Sequence, residues 1–156
     1  TKEAQGLFED LFRNRAIEKE YIAIVDGVIA KDSGIIDKPI AVEKSGFQQK
    51  MMQVSAKGDS AVTEWKKIKT GKSETLLQLT PKTGRTHQIR VHLKSIGHPI
   101  LGDVRYSENF RSKIFAPRPM LHAVKISFCH PVTKEEMQFH AELPEDFRVL
   151  KEKIFG

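Results

Sequence analysis

The side chains best suited to chemistry lie close together near the middle of the chain. His87, Arg90 and Lys94 are spaced three and four residues apart, so on a helix they project from one side. Lys82 and Arg85 lie in the turn that precedes this helix. Cationic side chains beside the free N–H groups of a helix N-terminus favour an anion such as a phosphate or a carboxylate. By spacing alone, an ordinary surface helix is an equally good interpretation.

A short helix must position these side chains, and its ends are marked in the sequence. Thr86 is a good N-cap residue. Ile89, Leu93 and Ile96 recur at the spacing of a buried helical stripe. Gly97 stands where glycine commonly follows the last turn of a helix. We therefore predict a helix that starts after Thr86 and ends before Gly97.

The positive charge of the protein is concentrated around this helix. Residues 66–106 contain nine Lys and Arg against two Asp and Glu, a net charge of +7, whereas the whole chain has +6. Lysines and arginines that neutralise a polyanion release its counterions, so this excess favours a nucleic-acid phosphate backbone as partner. A solvated, lysine-rich surface is the alternative. Aromatic residues do not alternate with these charges, which argues against a single-strand stacking platform.

Composition excludes several classes of protein. The chain has 156 residues, of which 39% are hydrophobic, and its longest apolar run is residues 21–25. A membrane span needs about 20 apolar residues, so we expect no membrane partner. The single cysteine, Cys129, excludes an internal disulfide framework and a cysteine-rich zinc site. We interpret Cys129 as a buried strand thiol in a reducing compartment and expect a cytoplasmic location.

The remaining pattern predicts an α+β fold with a mixed, mainly antiparallel sheet and flanking helices. The predicted strands are 19–25, 52–56, 62–70, 74–80, 120–129 and 137–143, and a hairpin turn at 70–73 is predicted to join 62–70 to 74–80. Asp26-Gly27 predicts a hairpin whose second arm is 28–30. The polar segment 31–60 is otherwise interpreted as loop.

Helices are predicted at both ends of the chain. The first has an apolar stripe that should pack on the core, formed by Ala4, Leu7, Phe8, Leu11 and Phe12. The last starts at Pro144 and contains Phe147, Leu150 and Ile154. We assign no catalytic or binding residue to either helix.

The central segment resembles a known signature. Thr-Gly-Arg-Thr-His-Gln-Ile-Arg-Val-His-Leu at 83–93, followed by Gly-His-Pro-Ile-Leu-Gly-Asp at 97–103, resembles the C-terminal signature of RluA-type RNA pseudouridine synthases. Other stretches resemble the same family in the same order: Lys-Glu-Tyr at 19–21, Leu-His-Ala at 121–123, Phe-Cys-His-Pro at 128–131 and Leu-Pro-Glu-Asp-Phe at 143–147. The resemblance spans most of the chain and implies a pseudouridine-synthase-like fold.

One part of the family pattern does not occur. The family's catalytic aspartate lies in a His-Arg-Leu-Asp motif upstream of the segments matched here, and this motif is not in the sequence. We assign the nucleophile to none of the aspartates in other contexts, which are Asp10, Asp26, Asp32, Asp37, Asp59 and Asp103. The resemblance implies that residues 1–156 are the C-terminal portion of a single catalytic domain, incomplete at its N-terminus. We expect this chain alone to be inactive and to self-associate through an exposed sheet edge.

The resemblance also implies an activity and roles for particular residues. The enzyme would isomerise uridines in structured RNA, ribosomal or transfer, to pseudouridine, with no metal and no cofactor. Arg90 would form an ion pair with the absent aspartate, and Tyr21 would line the pocket and stack on the flipped base. The predicted RNA-binding residues are Lys82, Arg85, His87, Gln88 and Lys94. A non-catalytic RNA-binding module derived from the same fold is the alternative.

Overall fold

The structure is a computed structural model that describes residues 5–7, 9, 11, 16–43 and 51–156. Residues 5–7, 9 and 11 are helical, which agrees with the predicted first helix at Leu7 and Leu11. Ala4, Phe8 and Phe12 of its predicted stripe lie outside the described residues. Leu7 is 37% exposed, so the expected burial of the stripe is wrong at this position.

Six of the described strands form one sheet, in the order β2-β5-β6-β1-β7-β8, and every pairing between neighbours is antiparallel. A separate two-stranded sheet is formed by β3 and β4. The strands are β1 (Ile17–Asp26), β2 (Ser33–Asp37), β3 (Ile40–Val42), β4 (Met52–Val54), β5 (Val62–Thr70), β6 (Glu74–Pro81), β7 (Leu121–Cys129) and β8 (Glu136–His140). The helices α1 (Gln88–Ser95) and α2 (Glu145–Phe155) follow β6 and β8 in the chain. The predicted fold class is confirmed.

The core lies along the two central strands. Ala23, Ile24 and Val25 of β1 are fully buried, as are the leucines at 76, 77 and 79 of β6. Consecutive residues of a strand point to opposite faces of the sheet. Burial of consecutive residues therefore shows that both faces of β1 and β6 are covered, which explains the apolar run 21–25 in β1 and the adjacent Leu76 and Leu77 in β6.

The predicted hairpin of strands 62–70 and 74–80 is confirmed, and the strands predicted at 120–129 and 137–143 also pair with each other. The β5 and β6 strands meet at the turn 71–73 with Thr70 opposite Thr75. The β7 and β8 strands pair with Phe128 opposite Met137. In both pairs a short polar turn separates two runs of strand-forming residues, a pattern that predicts a hairpin.

The predicted hairpin arm at 28–30 is wrong. Gly27 has the positive φ of 89° that a turn after Asp26 requires. However, both edges of β1 are occupied by β6 and β7, so no edge remains for the returning chain. The chain instead continues to β2, which pairs with β5 at the far side of the sheet.

The segment 31–60 contains more structure than predicted. The strand expected at 52–56 is present as β4, and it pairs with β3 through Ile40 opposite Val54. The β2 and β3 strands were not predicted, since both are short, β2 contains Gly34 and β3 follows Pro39, and these residue types indicate loops. Their hydrogen-bonding partners, rather than their own residues, make them strands.

The α1 helix is confirmed with one correction at its start. Ile89 and Leu93 are buried, and Gly97 follows the helix with φ 81° and donates to the carbonyl of Lys94 at 2.9 Å. Thr86 is not the N-cap. The residue before the helix is His87, which has φ 54° and makes no side-chain cap.

The C-terminal part of the chain agrees with the prediction for its helix and differs for its cysteine. The α2 helix begins directly after Pro144 and buries Phe147 and Leu150. Cys129 is exposed, so its interpretation as a buried thiol is wrong. It is the last residue of β7 and pairs with Glu136 at the end of the sheet, where little covers the strand. Among the helices that the structure describes, none is long and apolar enough to cross a membrane.

Candidate functional site

A pocket with a volume of about 260 Å³ lies between β1, the turn that leads from β6 into α1, and the start of β7. Five of the predicted site residues line it: Tyr21, Arg85, His87, Gln88 and Arg90. The structure thus brings together the two predicted catalytic residues from positions far apart in the sequence. Lys82 and Lys94 do not line this pocket.

Tyr21 reaches the pocket from the central strand of the sheet. It lies opposite Leu79 of β6 and Ala123 of β7, where the register of β1 against β7 shifts between Glu20 and Tyr21. Such irregularities re-aim side chains at sheet positions next to functional sites. Burial raises the pKa of Tyr21, so its hydroxyl stays protonated at neutral pH.

Arg90 is held by a carboxylate of this same chain. Its Nε donates to Oδ2 of Asp103 and its Nη2 donates to Oδ1, each at 2.7 Å. The Asp103 side chain is 1% exposed and that of Arg90 is 19% exposed. The hydrogen bond with Asp103 holds the pKa of Arg90 above its usual value, so the guanidinium is charged. Its expected role toward an upstream aspartate stays a prediction.

His87 stands at the start of α1 in an unusual conformation. Its φ of 54° lies in the left-handed region, which residues other than glycine adopt rarely. Its Nδ1 is 2.7 Å from the hydroxyl of Tyr106. Burial is the main cause that lowers the pKa of His87, and the charges of Arg90 and Arg105 lower it further. The imidazole is therefore neutral at pH 7.

Tyr106 is a site residue that the sequence reasoning missed. It is 3% exposed, and its hydroxyl accepts a hydrogen bond from the backbone N–H of Met52 at 3.3 Å. The Cζ of Arg90 is 4.8 Å from the centre of its ring, and the Nζ of Lys94 is 5.9 Å from it. His87, Arg90 and Lys94 all contact Tyr106, so they face the same side, as predicted. The signal in the sequence was the position of Tyr106 at the end of the basic segment 66–106.

Gln88 shapes the turn from within. Its Oε1 accepts hydrogen bonds from the hydroxyl of Thr83 at 2.6 Å and from the backbone N–H of Arg85 at 3.0 Å. Its Nε2 donates to the carbonyl of Val62 and to the hydroxyl of Thr63. Since the amide is buried and bonded on both sides, its geometry favours a structural role over direct contact with a ligand.

The other basic residues lie around the pocket rather than in one cluster. Lys82 forms an ion pair with Glu64 at 2.9 Å on the surface. Arg85 lines the pocket and donates from Nε to the carbonyl of Ser60 at 3.0 Å. Within the described ranges, no group of three or more His, Cys, Asp or Glu side chains is arranged to hold a metal ion.

Solved structures place this geometry in a known class of fold. Human RNA pseudouridylate synthase domain containing 1 superimposes with a TM-score of 0.78 at 28% sequence identity, over 92% of this chain and 62% of that one. Human RNA pseudouridylate synthase domain containing 4 gives the same TM-score and identity over 98% of this chain and 68% of that one. The fold is that of a pseudouridylate synthase domain.

The sequence identifies the family. The family model described as RNA pseudouridylate synthase matches residues 1–95, which include β1, the pocket turn and α1. The chain belongs to this family, and the resemblance to RluA-type synthases is confirmed.

Curated relatives from bacteria agree with this assignment. An RNA pseudouridine synthase of Bacillus subtilis is 40% identical over 141 residues, which are 90% of this chain and 45% of that protein. Ribosomal large subunit pseudouridine synthase D of Vibrio cholerae is 39% identical over an alignment of 157 positions, which covers 94% of this chain and 48% of that protein. The chain spans about half the length of these relatives.

Proposed function

We propose that residues 1–156 are the C-terminal portion of a single catalytic domain that isomerises specific uridines in structured RNA to pseudouridine. The observation that carries this proposal is that Tyr21 and Arg90 line one pocket in a chain of this family. An aromatic ring and a charged guanidinium at one cleft suit a flipped base and a catalytic carboxylate. The excess of Lys and Arg in residues 66–106 suits the phosphates of the RNA.

The reaction is an exchange of bonds within one nucleotide. The bond between N1 of uracil and C1′ of the ribose breaks, the base turns, and a bond forms between C5 and C1′. The proton on C5 leaves and N1 gains one, so atoms balance without an oxidant or a reductant. The resemblance accordingly implies no cofactor and no metal.

Each predicted residue has a defined task in this scheme. Arg90 pairs with the nucleophilic aspartate and keeps it ionised in a partly buried site. Tyr21 stacks on the flipped base, and its protonated hydroxyl lies in reach of proton transfer at C5. Arg85 and His87 contact the target nucleotide from the turn, while Lys82 and Lys94 bind neighbouring phosphates.

The names of several relatives favour ribosomal RNA as the substrate over transfer RNA. The proteins from Vibrio cholerae and Haemophilus influenzae are both ribosomal large subunit pseudouridine synthases. Structured RNA is recognised by phosphates, 2′-hydroxyls and shape. We therefore propose ribosomal RNA as the substrate and transfer RNA as the comparison in the assay.

A non-catalytic RNA-binding module is the second candidate, and one contact favours it. Arg90 already has a complete bidentate partner in Asp103, as a purely structural arginine has. Such a module keeps the basic surface and binds RNA without converting uridine. Binding with no conversion in the complete gene product supports this candidate.

The test measures uridine conversion by the complete gene product that contains these residues. RNA labelled with tritium at C5 of uridine releases the label as C5 loses its proton. We expect Arg90→Ala to lower the rate about 100-fold or more, because the charge that stabilises the reacting carboxylate is lost. Arg148→Ala is the matched control, since Arg148 is exposed on α2 and pairs only with Glu145 among the described residues. Equal rates for the two variants contradict the role of Arg90.

Two further properties belong to the same proposal. The β8 strand is at an edge of the sheet, and Phe139 on it is 50% exposed, so we propose that the isolated chain self-associates there. Sedimentation at rising concentration tests this, and a monomer throughout contradicts it. The single cysteine supports a reducing, cytoplasmic location, which cell fractionation tests.

A further inference from the structure

The turn that follows α1 is anchored to the centre of the sheet. The backbone N–H of Leu101 donates to the carbonyl of Ile24 in β1 at 2.9 Å. Within the turn, the backbone N–H of Asp103 donates to the carbonyl of Ile100 and the backbone N–H of Tyr106 donates to the carbonyl of Asp103, each at 3.1 Å. Asp103 and Tyr106 are both almost fully buried. The turn is therefore a fixed support for the side of α1 that carries the site residues.

Asp103 binds one edge of the Arg90 guanidinium and leaves another edge open. Nε and Nη2 present parallel N–H bonds along the side of the group, and Asp103 accepts both. The end of the group, formed by Nη1 and the second N–H of Nη2, has no hydrogen-bond partner among the residues that the structure describes. Arg90 lines the pocket. A second carboxylate can thus bind end-on while Asp103 holds the group side-on.

Tyr106 determines which nitrogen of His87 carries the proton. Its hydroxyl oxygen accepts from Met52, so its own hydrogen is free to donate to Nδ1 of His87. In the reverse arrangement the oxygen accepts twice and the hydroxyl hydrogen has no acceptor in a buried site. The first arrangement puts the imidazole proton on Nε2. His87 then presents an N–H donor to the pocket that it lines.

We propose that Asp103 and Tyr106 are the positioning residues of this pocket. Asp103 fixes Arg90 so that its end-on edge is available to the catalytic carboxylate, and Tyr106 fixes His87 as a donor toward an oxygen of the target nucleotide. This inference rests on the proposed function. The left-handed φ of His87 supports it, because strained residues persist mainly where the surrounding structure serves a site.

The first test measures positioning without activity, in the complete gene product labelled with ¹⁵N in histidine and arginine. We expect the ¹⁵N shifts of His87 to show one tautomer with the proton on Nε2, and Tyr106→Phe to give a mixture. We expect the Nε–H signal of Arg90 to be protected from solvent exchange and to lose this protection in Asp103→Asn. A wild-type His87 protonated on Nδ1, or an Arg90 signal that Asp103→Asn leaves unchanged, overturns the inference.

The second test measures kcat and KM for uridine conversion. We expect Asp103→Asn to lower kcat by about 100-fold with little change in KM, because a misplaced catalytic group slows the chemical step more than it weakens binding. Asp26→Asn is the matched control, since Asp26 is equally buried and also contacts an arginine, Arg111, outside this pocket. The control should lose stability and keep its kcat.

The outcomes separate the inference from the function on which it rests. If the wild-type protein converts uridine and Asp103→Asn behaves like Asp26→Asn, the positioning role is refuted and the function stands. If the wild-type protein converts no uridine, the proposed function fails and the tautomer and exchange measurements decide the positioning. Should Asp103→Asn not fold, Tyr106→Phe removes a single oxygen and is expected to lower kcat by a smaller factor.

Discussion

Two buried aspartates of this protein are each contacted by an arginine, in opposite ways. The Asp103 and Asp26 side chains are both 1% exposed. Asp103 accepts two hydrogen bonds of 2.7 Å from the guanidinium of Arg90. Asp26 accepts from the backbone N–H groups of Ser112 at 2.8 Å and Arg111 at 3.0 Å, and the guanidinium of Arg111 is at 3.3 Å.

The difference separates a structural contact from one that serves a site. Backbone donors hold Asp26 and thereby attach the loop around Ser112 to the end of β1. Among the described residues, the side-chain hydrogen bonds of Asp103 come from Arg90, so the two groups orient each other. Arg90 is 19% exposed at the pocket, whereas Arg111 is 62% exposed to solvent. The buried Arg90–Asp103 pair thus orients the arginine side chain at a cleft, whereas the contacts of Asp26 attach a loop to β1.

The largest effect on stability is expected from Arg90→Ala. This variant leaves the Asp103 carboxylate buried without its partner, so the free energy of unfolding should fall by about 3 kcal/mol. Urea denaturation measures the loss. Adding Asp103→Asn to the same variant should recover part of it, because the uncompensated charge is removed. A loss no larger than the ~0.5 kcal/mol of an exposed pair contradicts the comparison.

A smaller loss is expected from Asp26→Asn. The amide replaces one accepting oxygen with a donor, so a backbone N–H of Arg111 or Ser112 loses its partner, at a cost of about 2 kcal/mol. Hydrogen exchange locates the effect, since the backbone amide of Arg111 or of Ser112 should exchange faster than in the wild type. Unchanged exchange at both amides means that the loop is held by other contacts.

The pH dependence of stability extends the comparison to the buried side of α1. His92 is fully buried, its Nε2 is 2.9 Å from the carbonyl of Lys38 and its Nδ1 is 2.8 Å from the hydroxyl of Thr63. Burial lowers the pKa of His92 below its unfolded value of about 6.5. The unfolded chain then binds the proton first, so stability is complete above that value and falls as the pH drops below it.

Unfolding measured from pH 8 to pH 5 tests this dependence. In His92→Gln we expect the part of the slope below pH 6.5 that comes from this group to disappear. Identical slopes in the wild type and the variant show that His92 does not cause the pH dependence of stability.

The smallest effect is expected from Arg111→Ala. Its guanidinium is largely exposed and its backbone N–H remains in place, so the loss should be about 0.5 kcal/mol. Thermal unfolding of Arg111→Ala and of Arg90→Ala, measured side by side, compares the two losses of stability directly. Losses of similar size in the two variants would remove the distinction between the two aspartates.

Local patterns were sufficient for several elements. The stripe of Ile89 and Leu93 and the glycine at 97 predicted α1 within a residue or two of its ends. The β5–β6 hairpin was predicted with its turn, because the turn residues and the two strand-forming runs lie next to one another in the sequence. The interpretations that failed depended on distant neighbours. The arm at 28–30 found no free edge, and Cys129 lay at an end of the sheet that little covers.

The site was predicted in part for the same reason. Helical spacing placed His87, Arg90 and Lys94 on one side, and the structure confirms it. The resemblance brought Tyr21 to the same site, although 69 residues separate it from Arg90 in the chain. The partners of these residues were missed: Asp103 was excluded as the nucleophile and given no other role, and Tyr106 was not assigned to the site.

The sequence by itself determined the family, the basic surface and the direction in which α1 presents its polar side chains, since each depends on residue order within one element. Only the tertiary structure decided which carboxylate Arg90 binds and which nitrogen of His87 carries the proton. Both depend on the turn after α1 folding back onto β1, and contacts between separate elements follow from how those elements pack rather than from their spacing along the chain.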